Sequence, residues 1–135
     1  MAQSTKKEVF YHGKDFTKAF GYAQAVTVGN MLYISGTVSI DDEGKLVAAG
    51  DMRGQMSRIY EDLQRTLEAH GATFSDVVKE AIFTTDMDRF TEEAMPIRAK
   101  FYEGHTLPAS SAWLQVSRLA FPEFLVEIEA IAVLP

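Results

Sequence analysis

The 135-residue chain contains no cysteine. That excludes disulfides, thiolate metal sites and a cysteine nucleophile, and it fits a cytoplasmic protein. No apolar run approaches the roughly 18 residues of a membrane span, and no contact with a membrane is expected. The opening segment, "MAQSTKKEVFYHGKDF", has no apolar stretch of signal-peptide length. Positive charge is also scarce. Thirteen Lys and Arg stand against 19 Asp and Glu, a net charge of −6. Lys6–Lys7 is the only adjacent basic pair. A nucleic-acid partner is therefore not expected, because phosphate neutralisation calls for a basic stripe. The common catalytic signatures are missing as well, with no G-x-S-x-G elbow, P-loop or G-x-G-x-x-G. The three histidines, His12, His70 and His105, are scattered without metal-ligand spacing and read as surface or helix-end residues. No metal site is expected.

What is present is a chain of one-domain length, with residues 1–15 as a loose N-terminal segment. "YAQAVTVGNMLYISGTVSI" alternates apolar and polar residues on both sides of Gly29–Asn30, the pattern of a β-hairpin. "DMRGQMSRIYEDLQRTLEAHG" carries Met52, Met56, Ile59, Leu63 and Leu67 at helical spacing. Asp51 is its expected N-cap and Gly71 its C′ residue. Gly54 within it costs about 1 kcal/mol against Ala. "VVKEAIFTTDM" reads as a strand. A second helix follows, with Phe90, Ala94, Ile97 and Phe101 on one face, Asp88 as cap and Gly104 as end. Pro96 falls inside it and predicts a kink. "SSAWLQVS" and "FLVEIEAIAVLP" are the last two strands. The expected order is β-β-α-β-α-β-β, an α+β sandwich with a mostly antiparallel sheet and two helices on one face. The opposite sheet face then stays wet or packs against another subunit, and the apolar strand content favours a subunit.

Glu127 and Glu129 interrupt the last, otherwise apolar, strand. Two residues apart, they share one face about 7 Å from each other. They repel by about 2 kcal/mol at an effective dielectric near 20. On one reading both point to solvent or to a subunit interface and pair with bases. On the other, the more buried carboxyl lines a pocket and its raised pKa suits general acid/base work. Trp113, the only tryptophan, reads as core or interface. Tyr22, at the start of the hairpin, is a packing residue or a hydroxyl aimed into a cleft.

The blocks "YAQAVTVGNMLYISGTV", "VVKEAIFTTDMDRF", "LPASSAWLQVSRL" and "LVEIEAIAV" resemble, in order and spacing, those of the Rid family. These are the reactive-intermediate (enamine/imine) deaminases, also called YjgF-like or L-PSP proteins. The resemblance implies a chorismate-mutase-like fold and a homotrimer whose three sheets form a central barrel with clefts between subunits. In deaminating members the signature "PARS" supplies an arginine that holds the substrate carboxylate as a fork. Water near a strand glutamate attacks the imine carbon, with no metal or organic cofactor. Glu127 matches that glutamate and Tyr22 a cleft tyrosine, while Arg118 matches a structural arginine. Here the signature is "PASS", with Ser110 in the arginine's place. Ala112 replaces a frequent cysteine and Ala94 a frequent asparagine. Losing the charged contact forfeits about 1.5–3 kcal/mol. The chain thus resembles arginine-lacking subgroups, with Ser110, Ala112 and Leu114 expected on one face as an apolar cleft wall.

Three functions follow. The first is an enzyme that hydrolytically deaminates a small imine or enamine in intersubunit clefts. There Glu127 positions or deprotonates water, and Tyr22 and Ser110 donate hydrogen bonds. The second is a trimer that binds or senses a small ligand without chemistry. The third, a ribonuclease or translation inhibitor, is disfavoured by the acidic composition. Arg89 and Arg98 on the second helix are the candidates for a replacement cation.

Overall fold

The computed structural model describes residues 6–12 and 16–135, and for Ser110 and Ser111 the backbone alone. The elements are β1 (Lys7–Phe10), α1 (Phe16–Ala19), β2 (Ala25–Val28), β3 (Met31–Thr37), α2 (Met52–Ala69) and β4 (Val77–Thr84). They are followed by α3 (Met87–Arg89), a π-turn (Phe90–Ala94), α4 (Met95–Tyr102), β5 (Ala109–Gln115) and β6 (Val126–Val133). The strands form one sheet in the order β1-β2-β3-β6-β4-β5. All neighbours are antiparallel except β4 and β5, which run parallel across the α3–α4 crossover. This is the expected mixed, mostly antiparallel sheet. Lys7–Phe10, read from the sequence as part of a loose leader, instead pairs with β2 from Lys7↔Val28 to Phe10↔Ala25. A four-residue strand is too short to show alternation, so its partner strand alone defines it.

Helix α2 forms as its pattern requires. The Asp51 side chain accepts a hydrogen bond from Gly54 N–H at 3.0 Å, and Gly71 after the helix has φ 72°. Met52, Met56, Ile59, Leu63 and Leu67 are buried against Leu32, Ile34, Ile82 and Ile128 of the sheet. Gly54 is not a mere weakness in the helix. A Cβ there would come within 2.6 Å of both Ala48 Cβ and the Asp51 carboxylate, so the tight entry to α2 demands glycine.

The second helix departs from a single kinked rod. Its cap is Asp86, not Asp88, accepting from Arg89 N–H at 3.0 Å. The backbone widens into a π-turn before Pro96, which then sits in the first turn of α4. Proline lacks an N–H, and there its missing bond costs little. Gly104, with φ 79°, follows the end of this helix as expected.

Both helices lie over the same face. The other face carries Tyr33, Lys79, Ala81, Glu129 and Ile131, which border a shallow hollow of about 300 Å³. Tyr33 is 45 % exposed there, and Leu114 on β5 is 47 % exposed.

Candidate functional site

Glu127 and Glu129 both point away from the helices, yet they serve different hollows. Glu129 borders the hollow on the open sheet face. Glu127 enters a separate pocket of about 220 Å³ with Phe16, Phe20, Tyr22, Val38, Ala120, Phe121 and Phe124. The register explains how Glu127 gets there. Between Ile34↔Ala130 and Thr37↔Ile128, β3 has one residue more than β6, a bulge at Ser35–Gly36. Gly36 presents no side chain, and the Glu127 side chain lies across it. A Cβ on Gly36 would meet Oε2 at 2.7 Å and Cδ at 2.9 Å.

Tyr22 reaches the same pocket from the turn after α1. Its backbone N–H donates to Thr17 C=O at 3.0 Å, folding the chain back toward the sheet. Burial first, and then the Glu127 charge, raise its pKa, so it stays a neutral O–H donor. The pKa of Glu127 is raised too, by burial first and by the like charge of Glu129 second. The sequence placed these two charges on one face; the fold buries one more than the other. A raised pKa makes this carboxylate a better proton acceptor than an exposed glutamate.

The pocket walls are aromatic. Phe16 and Phe20 pack at 4.7 Å between ring centroids, Phe20 and Phe121 at 6.0 Å, and Phe121 and Phe124 at 5.3 Å. Alternation and helical periodicity do not reveal them, because α1 is only four residues long and the 121–124 segment is a loop. The only signal was density of aromatics, in "FTKAFGY" and "FPEF".

The other candidates stand elsewhere in this chain. Leu114 pairs with Phe83, and Phe83 with Glu127, so β5 lies two strands from the glutamate, about 10 Å. Neither Ala112 nor Leu114 borders the Tyr22–Glu127 pocket. Simple alternation along β5 fails. Glu80↔Ser110 is followed by Ile82↔Trp113, so β5 has one extra residue and Ser110, Ala112 and Leu114 do not form one regular face. The Ser110 side chain lies outside what the structure describes. Trp113 packs edge-on against Phe90 at 5.8 Å.

The arginines do not converge on the pocket. Arg98 ion-pairs with the fully buried Glu80 at 2.9 Å, and Arg89 donates to the Gly50 carbonyl at 2.6 Å. Arg118 donates to the carbonyls of Leu119 and Ala120 at 3.2 and 3.1 Å. The Glu80 cluster was missed in the sequence. Tyr60 O–H at 3.1 Å and Tyr102 O–H at 2.7 Å also donate to this carboxylate beneath the helices. Its alternation with Ile82 and Thr84 was the available clue. Each histidine has a local polar contact: His12 with Thr66 Oγ1, His70 with Thr66 C=O and His105 with Ser75 Oγ. Among the described residues, no three His, Asp or Glu gather as a metal site, and no helix is long and apolar enough to cross a membrane.

The family model for "Endoribonuclease L-PSP" matches residues 13–134. The chain belongs to this L-PSP, or Rid, family. A RutC family protein of Pyrococcus abyssi is 36 % identical over 93 % of this chain and 96 % of its own length. A Salmonella typhimurium protein named 2-iminobutanoate/2-iminopropanoate deaminase is 34 % identical over 83 % of this chain and 86 % of its own. A crystal structure of a Yersinia pestis Rid family protein superposes with a TM-score of 0.86 at 29 % identity, covering 96 % of this chain and all of that one. The six-stranded sheet and its helices are thus the Rid fold, and the pocket holding Tyr22 and Glu127 is set within it.

Proposed function

We propose that this Rid protein hydrolyses a small reactive imine or enamine, releasing ammonia, and that Glu127 moves the protons. The observation that carries this reading is the meeting of Glu127 and the Tyr22 phenol in one partly dry pocket, with the glutamate's pKa raised by burial. The Glu127 carboxylate takes a proton from water as the water oxygen bonds to the imine carbon. The C=N π electrons move to nitrogen, giving a carbinolamine. Glu127 returns the proton to that nitrogen. The hydroxyl oxygen then forms C=O as the C–N bond breaks, and its proton leaves with ammonia. Tyr22 O–H donates to the oxygen or nitrogen that carries the developing lone pair.

The assembly belongs to the same proposal. The exposed Tyr33 and Leu114 on the helix-free face suit burial against further copies of the chain, as a homotrimer with clefts between subunits. In such a cleft the β5 strand of one protomer would border a neighbour's Glu127, with the exposed Leu114 in the wall and the Ser110 segment beside it. With serine in the "PASS" segment, the chain takes its place among arginine-lacking Rid proteins. The deaminase named among its relatives supports the reaction type.

The test is a competition assay. Flavin-dependent oxidases release a panel of free imines, and semicarbazide traps what the protein does not consume. Wild type should lower semicarbazone yield for at least one imine, and Glu127→Gln should restore it. If no imine is consumed faster with wild type present, the reading of a ligand-binding trimer without chemistry replaces this one.

A further inference from the structure

A bulge aims Glu127, and a bulge interrupts the ladder that would otherwise fix the backbone. Around Ser35–Gly36 side chains take over that work. Thr37 O–H donates to the Ser35 carbonyl at 2.9 Å, two residues back across Gly36. Gln24 Nε2 donates to the same Thr37 oxygen at 3.2 Å. The Gln24 carbonyl in turn accepts from Ser35 N–H at 2.9 Å. These three bonds close a ring through the bulge. Ser35 O–H adds a fourth bond, to the Ala23 carbonyl at 2.5 Å.

The ring lies under the sheet. Gln24 and Thr37 are only 8 % and 4 % exposed. Thr37 pairs with the fully buried Ile128, on the helix side, while Glu127, the residue before Ile128, points to the other side. An amide and a hydroxyl are costly to bury, and an apolar pair of the same shape fills such a space at nearly equal stability. An apolar pair lacks direction, whereas a satisfied polar network holds one geometry. Both groups of the site depend on that geometry. Glu127 lies across Gly36, inside the stretch that Thr37 spans. Tyr22 directly precedes Ala23, whose carbonyl Ser35 holds.

Resting on the deaminase reading above, we propose that Thr37 and Gln24 are positioning residues. Their ring fixes the Ser35–Gly36 bulge, so that the Glu127 carboxylate and the Tyr22 phenol enter one pocket at a set separation. They act through the backbone of residues 35 and 36.

The test removes the ring without leaving a buried group unpaired. Thr37→Val alone takes the acceptor from a Gln24 N–H and should lower the urea midpoint. The double variant Gln24→Met/Thr37→Val replaces both partners by apolar groups of similar shape and should unfold near the wild-type midpoint. With whichever imine of the panel wild type consumes best, its kcat should still fall about tenfold or more, with KM little changed. Thr37→Ser, which keeps the hydroxyl, should recover most of the rate that Thr37→Val loses. Wild-type kcat in the double variant overturns the inference, because packing then suffices. A double variant as unstable as Thr37→Val overturns it too, because the ring then serves the fold and not the carboxylate.

A second readout is independent of turnover. Carbon-detected NMR follows titration of the glutamate carboxyls, with Glu127 assigned by the signal missing from Glu127→Gln. In the double variant its midpoint should drop toward the ordinary glutamate value as the carboxylate leaves its desolvated position. An unchanged midpoint overturns the inference even where kcat falls. A lowered midpoint in a protein whose wild type consumes no imine supports the ring's hold on Glu127 and overturns the deaminase reading alone.

Discussion

Gly36→Ala isolates the placement of the Glu127 carboxylate from the stability of the fold. The φ of Gly36 is not among the positive values, so alanine fits the backbone. Its new Cβ would lie 2.7 Å from Oε2, 2.9 Å from Cδ and 3.3 Å from Cγ of Glu127. Ordinary contact begins near 3.4 Å, so the carboxylate must move by about 0.7 Å. The clash falls on the far end of a flexible side chain, which swings aside at small cost. Replacing glycine also restricts the unfolded chain, worth about 0.4–1 kcal/mol in favour of folding. Stability should therefore stay near wild type. Turnover should not, since a misplacement of about 1 Å costs on the order of 100-fold. We expect kcat to fall by about 10- to 100-fold while KM changes little, because the phenylalanine walls are untouched. The semicarbazide competition gives the rate, and urea unfolding gives the stability. Wild-type turnover in a folded Gly36→Ala protein would refute the claim that the Glu127 position sets the rate.

Glu127→Gln should reduce turnover by about 100-fold or more, the scale of a general acid/base, whereas Glu129→Gln should reduce it far less. Its stability effect has the opposite sign. The fold raises the Glu127 pKa, favouring the neutral carboxyl more than the unfolded chain does; wild type loses that stability as pH rises from the ordinary carboxylate value through the raised one. Urea midpoints of the two proteins should coincide near pH 4 and favour Glu127→Gln near pH 7. Arg98→Met leaves the buried Glu80 without its guanidinium. The cost is about 3–5 kcal/mol. With unfolding entropy of about 2.1 cal/mol/K per residue, that lowers Tm by about 10–18 °C at fixed protein concentration, and a scan showing a change under about 3 °C would contradict it. Ser110→Arg should improve consumption of a carboxylated imine by about 10- to 150-fold in the same competition assay, through a charge-assisted fork. Sedimentation equilibrium should give about three times the 15.0 kDa protomer mass; a monomer would remove the intersubunit cleft.

Local patterns made much of the scaffold legible. The apolar stripe of α2, its Asp51 cap, the Gly29 turn and the β3, β4 and β6 alternations all involve residues within a few positions of one another, where backbone geometry dictates what shares a face. The same rule placed Glu127 and Glu129 together. It did not tell which carboxyl would be buried, because that depends on the bulge at Ser35–Gly36, and a bulge is a relation between two strands. It also failed along β5, where one extra residue against β4 broke the expected face. The aromatic arc joins Phe16 and Phe20 to Phe121 and Phe124 across nearly the whole sequence, and the Glu80 carboxylate meets Tyr60, Arg98 and Tyr102 from two helices. Sequence alone therefore determined the elements and the chemical groups on offer. Only tertiary packing, by bringing distant loops and helices against particular strand positions, decided which of those groups lost water, and so which of two equivalent glutamates became a candidate for chemistry.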